Sequence, residues 1–272
     1  MNEQNNPNQM SPAEWQAPPP PERIVDAVGE PAQMSEPATL GGIFFEPGKT
    51  FDDLRRKPRF LMASLIIILM VTAFQIFFIQ KIGYERMVRD RLESNSQTQQ
   101  MPREQKEQIV QSQNSPVWKA ISYGAAPIAL VIVFALGGLI YWLGANAMGG
   151  SANFLHGISI WVYSSLPPTL IFMLANIIVL LLKSVDDIDI GKAQQGGLVQ
   201  ANPSMFIDGK ASPVLAAVLG SIDLFVIWGW VLAAIGLQRV AKISAGAAWA
   251  IVLILGLIGV AIKVVVAAAF GG

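Results

Sequence analysis

Residues 60–80 read FLMASLIIILMVTAFQIFFIQ, an apolar run long enough to cross ~30 Å of hydrocarbon as a helix rising ~1.5 Å per residue. Four comparable runs follow, at Tyr123 to Leu143, Ile158 to Leu182, Val214 to Leu237 and Ala247 to Phe270. The five runs predict an all-α polytopic membrane protein, a bundle of five transmembrane helices occupying residues 60–270.

Composition points the same way. Hydrophobic residues make up 53% of the chain and charged ones only 14%, with charges almost entirely outside the runs, and the mean hydropathy is +0.46. A formal net charge of zero argues against a nucleic-acid partner, which would call for a basic footprint. The chain contains no cysteine, which excludes a disulfide framework, thiolate metal ligation and a cysteine nucleophile. The first residues, MNEQNNPNQMSPAEW, lack the basic start and apolar stretch of a cleavable signal peptide, so the first insertion signal is the run at Phe60.

Residues 1–38 hold eight prolines, four of them consecutive at Pro18 to Pro21, and few large apolar groups. Such a tail cannot bury enough surface to offset its ordering entropy and reads as disordered, with polyproline II character. Residues 39–59 differ, because the stretch from Leu40, LGGIFFEPGKTFDDLRRKPR, sets Phe44, Phe45, Phe51 and Leu54 beside a basic cluster. Thr50 reads as a helix cap with Asp52 and Asp53 in the first turn. An amphipathic juxtamembrane helix in the headgroup region is expected, with Arg55, Arg56, Lys57 and Arg59 contacting the membrane surface. The same cluster is a topology signal that places the amino terminus in the cytoplasm, although the opposite side would carry slightly more basic residues.

Two connections are long enough for structure of their own. Between Lys81 and Lys119, Glu85 is spaced to pair with Arg89, and Pro102 stands where a helix can start, so a helical hairpin capping the bundle is predicted. The second, Lys183 to Ser212, carries Asp186, Asp187, Asp189 and Asp208, but lacks the alternating ligands and distant glutamate of a calcium loop. His156 has no partner at ligand spacing and reads as a satisfied structural histidine. No zinc-protease, nucleophile-elbow or phosphate-loop motif occurs. Catalytic residues, cofactors and metals are accordingly not predicted.

Inside the runs, Ala216 with Gly220 and Gly229 with Ala233 form small-residue pairs for close helix packing. Pro167 and Pro168 should kink the third helix near Leu166, with Ser164 and Ser165 satisfying freed carbonyls. Asp223 and Lys263 are the two charges lying well inside apolar runs, and antiparallel fourth and fifth helices would bring them together as an intramembrane ion pair.

Three segments, FEPGKTFDDLRRKP from Phe45, YSSLP from Tyr163 and WGWVLAAIGLQRVAKIS from Trp228, together resemble bacterial members of the Yip-domain family over about residues 40 to 270. The resemblance implies a five-helix integral membrane protein with a cytoplasmic amino terminus. Eukaryotic relatives contact small Rab-type GTPases, but this chain lacks their Asp-Leu-Tyr-Gly-Pro signature, so a GTPase partner is doubtful. The expected function is a non-enzymatic scaffold or organiser of the bacterial cytoplasmic membrane, with a protein partner or a second copy as ligand. The alternative is a small transporter or channel using the kinked third helix with Asp223 and Lys263.

Overall fold

Apolar runs become helices in lipid because a helix satisfies its own backbone groups, and prolines and caps decide where each one begins. A computed structural model describes residues 31–270 apart from 192, 194–196, 208 and 210, with the backbone alone at 96 and 270. The Pro-rich tail up to residue 30 and Asp208 lie outside the described residues.

Two short helices come first, α1 (Glu36–Phe45) and α2 (Pro47–Arg56), followed by the first span, α3 (Leu61–Ile82). On the far side α4 (Tyr84–Ser94), α5 (Ser96–Gln99) and α6 (Arg103–Gln113) connect to the second and third spans, α7 (Pro116–Ala147) and α8 (Phe154–Leu182). The fourth apolar run forms α9 (Pro213–Leu219) and α10 (Leu224–Ala241), and α11 (Ala245–Phe270) completes the bundle. Five of these helices are long and apolar enough to cross a membrane, and no strand occurs among the described residues.

The third span, α8, is the centre. Ile160, Val162, Tyr163 and Leu166 are fully buried on it, and α7, α10 and α3 pack around it. The closest approach is to α7, where a Cβ on Gly157 would stand 2.1 Å from the Gly138 carbonyl oxygen. The helix runs unbroken through Pro167 and Pro168. Ser164 and Ser165 donate to the Trp161 carbonyl at 3.0 and 2.8 Å, one turn back along the chain. The carbonyls that the prolines leave free are those of Tyr163 and Ser164. Gly229 of α10 lies over the Ser164 carbonyl and the Pro168 ring, where a Cβ would be 3.7 Å from each.

The fourth run is not one helix. It breaks at Gly220 to Asp223, where Asp223 caps α10 by accepting from the Phe225 N–H at 2.9 Å. Asn202 donates to the second Asp223 oxygen at 3.1 Å, and the Leu224 N–H reaches the Ala201 carbonyl at 3.1 Å. A capping carboxylate satisfies orphan N–H groups at a helix start, an alternative that hydropathy cannot distinguish from a mid-span charge. The preceding connection is pinned from the other side by Asn176 of α8, fully buried, which accepts from Leu198 and Val199 at 2.5 and 3.2 Å.

Outside the spans, α4 and α6 form a hairpin over Val88, Leu92 and Val110. Arg89 bridges Glu85 at 2.8 Å and Glu107 at 2.5 Å, and its guanidinium holds the Glu107 carboxyl below the usual carboxylate range. Because the folded-state value is depressed, this pair stabilises the hairpin fully above the unfolded carboxylate range and loses that contribution as pH falls through the folded value. Protection of the α4 and α6 amides against hydrogen exchange, relative to unstructured peptide at the same pH, should therefore fall on acidification, and Glu107→Gln should flatten that dependence. A wild-type profile indifferent to acid would exclude the pair as a support of the hairpin.

Candidate functional site: the helical cap on the amino-terminal face

Elements α1 and α2, the connection at 148–153 and the turn at 242–244 share one face of the bundle, because the five spans alternate in direction. Ser35 caps α1, and Pro47 opens α2 directly after Glu46. With a proline at the first helical position, α2 begins four residues earlier than a Thr50 cap would have it. Thr50 becomes a buried interior residue.

The residues expected to form one headgroup-facing apolar stripe divide between two environments. Phe51 and Leu54 are fully buried, whereas Phe45 is 87% exposed. Phe51 fits against α10 because Gly236 has no side chain there, a Cβ at that position standing 2.9 Å from the Phe51 ring. The segment is thus integrated into protein through one face of α2 rather than lying wholly on lipid.

Polar contacts lock it in place. Asp53, 1% exposed, accepts from the backbone N–H groups of Gln33 at 2.5 Å and Met34 at 3.0 Å. Arg59 approaches its other oxygen at 3.4 Å and donates to the Met34 carbonyl at 2.9 Å. Thr39 donates to the Glu36 carbonyl at 2.7 Å, so the Tyr163 hydroxyl of α8, 3.2 Å away, is the donor to Thr39. His156 accepts at Nδ1 from the Asn153 N–H at 3.2 Å, which puts its proton on Nε2, 2.9 Å from the Arg55 carbonyl. At the rim Arg239 of α10 meets Asp52 at 3.3 Å.

The basic cluster is accordingly not four equivalent headgroup contacts. Arg59 faces Asp53, the Arg55 carbonyl serves His156, Arg56 is partly covered, and Lys57 is exposed. Of the packing residues, Ala233 is buried and Gly229 half-buried against α8, while Ala216 and Gly220 lie on α9 and its end, on the other side of the break. The Asp223 carboxylate is engaged by Phe225 and Asn202, and among the described residues Lys263 forms no ion pair with it or with any other carboxylate. Asp186 pairs with Arg86 at 3.2 Å, Asp187 accepts from Ser184 at 2.5 Å, and no three metal-ligating side chains converge among the described residues. Sequence reasoning sets Asp53 in the first turn of a helix and misses its anchoring of residues 33 and 34, and it misses the match of Phe51 to Gly236.

An all-helical polytopic membrane protein with a docked amino-terminal cap is the class defined by this geometry. The Yip1 domain profile matches residues 41–266, and the chain belongs to that family. It is similar to Membrane protein YknW of Bacillus subtilis (strain 168), with 27% identity over 221 residues that cover 81% of this chain and 86% of the relative. No solved structure matches it significantly.

Removing one partner of a buried ion pair costs about 3 kcal/mol or more, whereas an exposed pair is worth under about 1 kcal/mol. Asp53→Ala should therefore lower thermal stability strongly and loosen α1, while Asp52→Ala should cost little. Equal effects in unfolding measurements would contradict the contrast. Asp223→Ala should cost about 1 kcal/mol as a lost cap and add independently to Lys263→Met; coupling in the double mutant would reveal an interaction between them.

Proposed function

We propose that this Yip-family protein is a non-enzymatic scaffold of the bacterial cytoplasmic membrane, with its amino terminus in the cytoplasm, that presents the α1–α2 cap to a protein partner. The observation that carries this reading is the docking of α2. Phe51, Asp53 and Leu54 are buried against the bundle, so the outward faces of α1 and α2 are held at a fixed position, and a preordered surface binds with less ordering cost. Phe45 and Lys57 are exposed on that surface. Lys57 and Lys242 suit anionic headgroups around the rim, and the uncovered spans suit a surrounding bilayer.

A transport pathway finds less support. Pro168 of α8 packs against Gly229, Asp223 caps a helix, and a notch of about 110 Å³ lined by Arg89, Arg103, Lys106 and Glu107 lies outside the spans. Purified protein in proteoliposomes should carry no solute or ion flux. Crosslinking from the exposed face of α1 should recover a reproducible partner that disappears on Asp53→Ala. Flux without a reproducible partner would overturn the scaffold.

Orientation is tested separately, since the chain lacks cysteine. Gln100→Cys should react with a membrane-impermeant thiol reagent in intact cells, and Lys242→Cys only after lysis. The reverse pattern would invert the topology.

A further inference from the structure

The last span is the barest: only 11% of α11 is buried, against 22 to 39% of the other four spans. Leu253, Leu257, Ile262 and Val266 are exposed along it, and Lys263 is exposed beside the last two. Lys263 stands about 27 Å along α11 from Ala245, and the apolar residues Val264 to Phe270 continue for about 10 Å beyond it. The ammonium is therefore still inside the apolar part of the helix.

Helical side chains lean toward the helix amino terminus. In α11 that direction runs to the middle of the bilayer, away from the nearer surface, so the usual escape of a lysine to the headgroups is opposed by geometry. Gly259, one turn earlier on the same face, has open space where a Cβ would be. The result is a notch beside a charge, where another helix backbone can approach. Charged groups inside membranes pair. Among the described residues, the carboxylate at matching height, Asp223, has both oxygens engaged.

We propose that α11 docks a transmembrane helix of another protein bearing a carboxylate that meets Lys263, in the half of the bilayer away from the α1–α2 cap. A second copy is the wrong occupant, because a symmetric pairing through α11 would oppose Lys263 to Lys263. A phospholipid phosphate is disfavoured by the direction of the side chain. The proposal rests on the scaffold reading and names a partner class for it.

The test uses the full chain, fluorescently labelled in phosphatidylcholine vesicles. Two synthetic Leu/Ala transmembrane helices serve as probes, one with a single Asp seven residues from an end and one with Leu there. Energy transfer should report about tenfold tighter association of the Asp helix, the scale of one interhelical polar contact. Lys263→Met should reduce it to the level of the Leu helix, and Lys263→Arg should retain it. Equal association of both probes, or a preference that survives Lys263→Met, overturns the proposal. So does a preference abolished by phosphatidylglycerol, which would identify lipid phosphate as the occupant. Failure here with partner capture at the cap intact rejects the α11 site alone, whereas solute flux with no cap partner rejects the scaffold and leaves the probe result standing.

Discussion

Backbone contact between α7 and α8 is the constraint from which the rest of the arrangement follows. Lipid supplies no hydrophobic drive between helices, so association depends on how closely they can approach. At Gly138 a Cβ would stand 2.8 Å from the Ile158 nitrogen, and at Gly157 one would stand 2.1 Å from the Gly138 carbonyl oxygen. Neither position has room for a side chain. With α7 so close, α8 becomes a central post on which α3 and α10 can also pack, and its amino-terminal turn is fixed at one face of the bundle.

That fixed turn makes the cap a part of the fold. His156 offers Nε2 to the Arg55 carbonyl and Tyr163 offers its hydroxyl to Thr39, while Gly236 of α10 leaves space for Phe51. Asp53 then closes the segment by collecting two backbone N–H groups and Arg59. The two N–H groups serve one carboxylate oxygen and the Arg59 charge stands against the other, the kind of compensation a buried carboxylate requires. The polar contacts fix the register of a helix pair too short to hold its shape alone.

The sequence carries the five spans plainly, since length and hydropathy set them, and the Glu85–Arg89 pair is legible from spacing. The capping role of Asp223 is not legible, for a physical reason. A carboxylate flanked by apolar residues looks the same in sequence whether it faces another helix or caps one, and the distinction here depends on Asn202 and Ala201 reaching it from a distant connection. The cap was half legible: its amphipathic face is evident, but whether that face meets lipid or protein was decided by Gly236, almost two hundred residues away in the chain. Pro167 and Pro168 are legible as losses of two hydrogen-bond donors in α8, whereas the room beside the Ser164 carbonyl is left by Gly229 on a neighbouring span.

The account stands on α1 and α2 being an ordered part of the bundle face. Hydrogen exchange of the full-length protein in lipid nanodiscs measures this directly. Amides from Phe51 to Arg55 should be protected to the same degree as the first turns of α8 and the last turns of α10. Exchange of that segment at the rate of an isolated peptide, with the spans still protected, would contradict it.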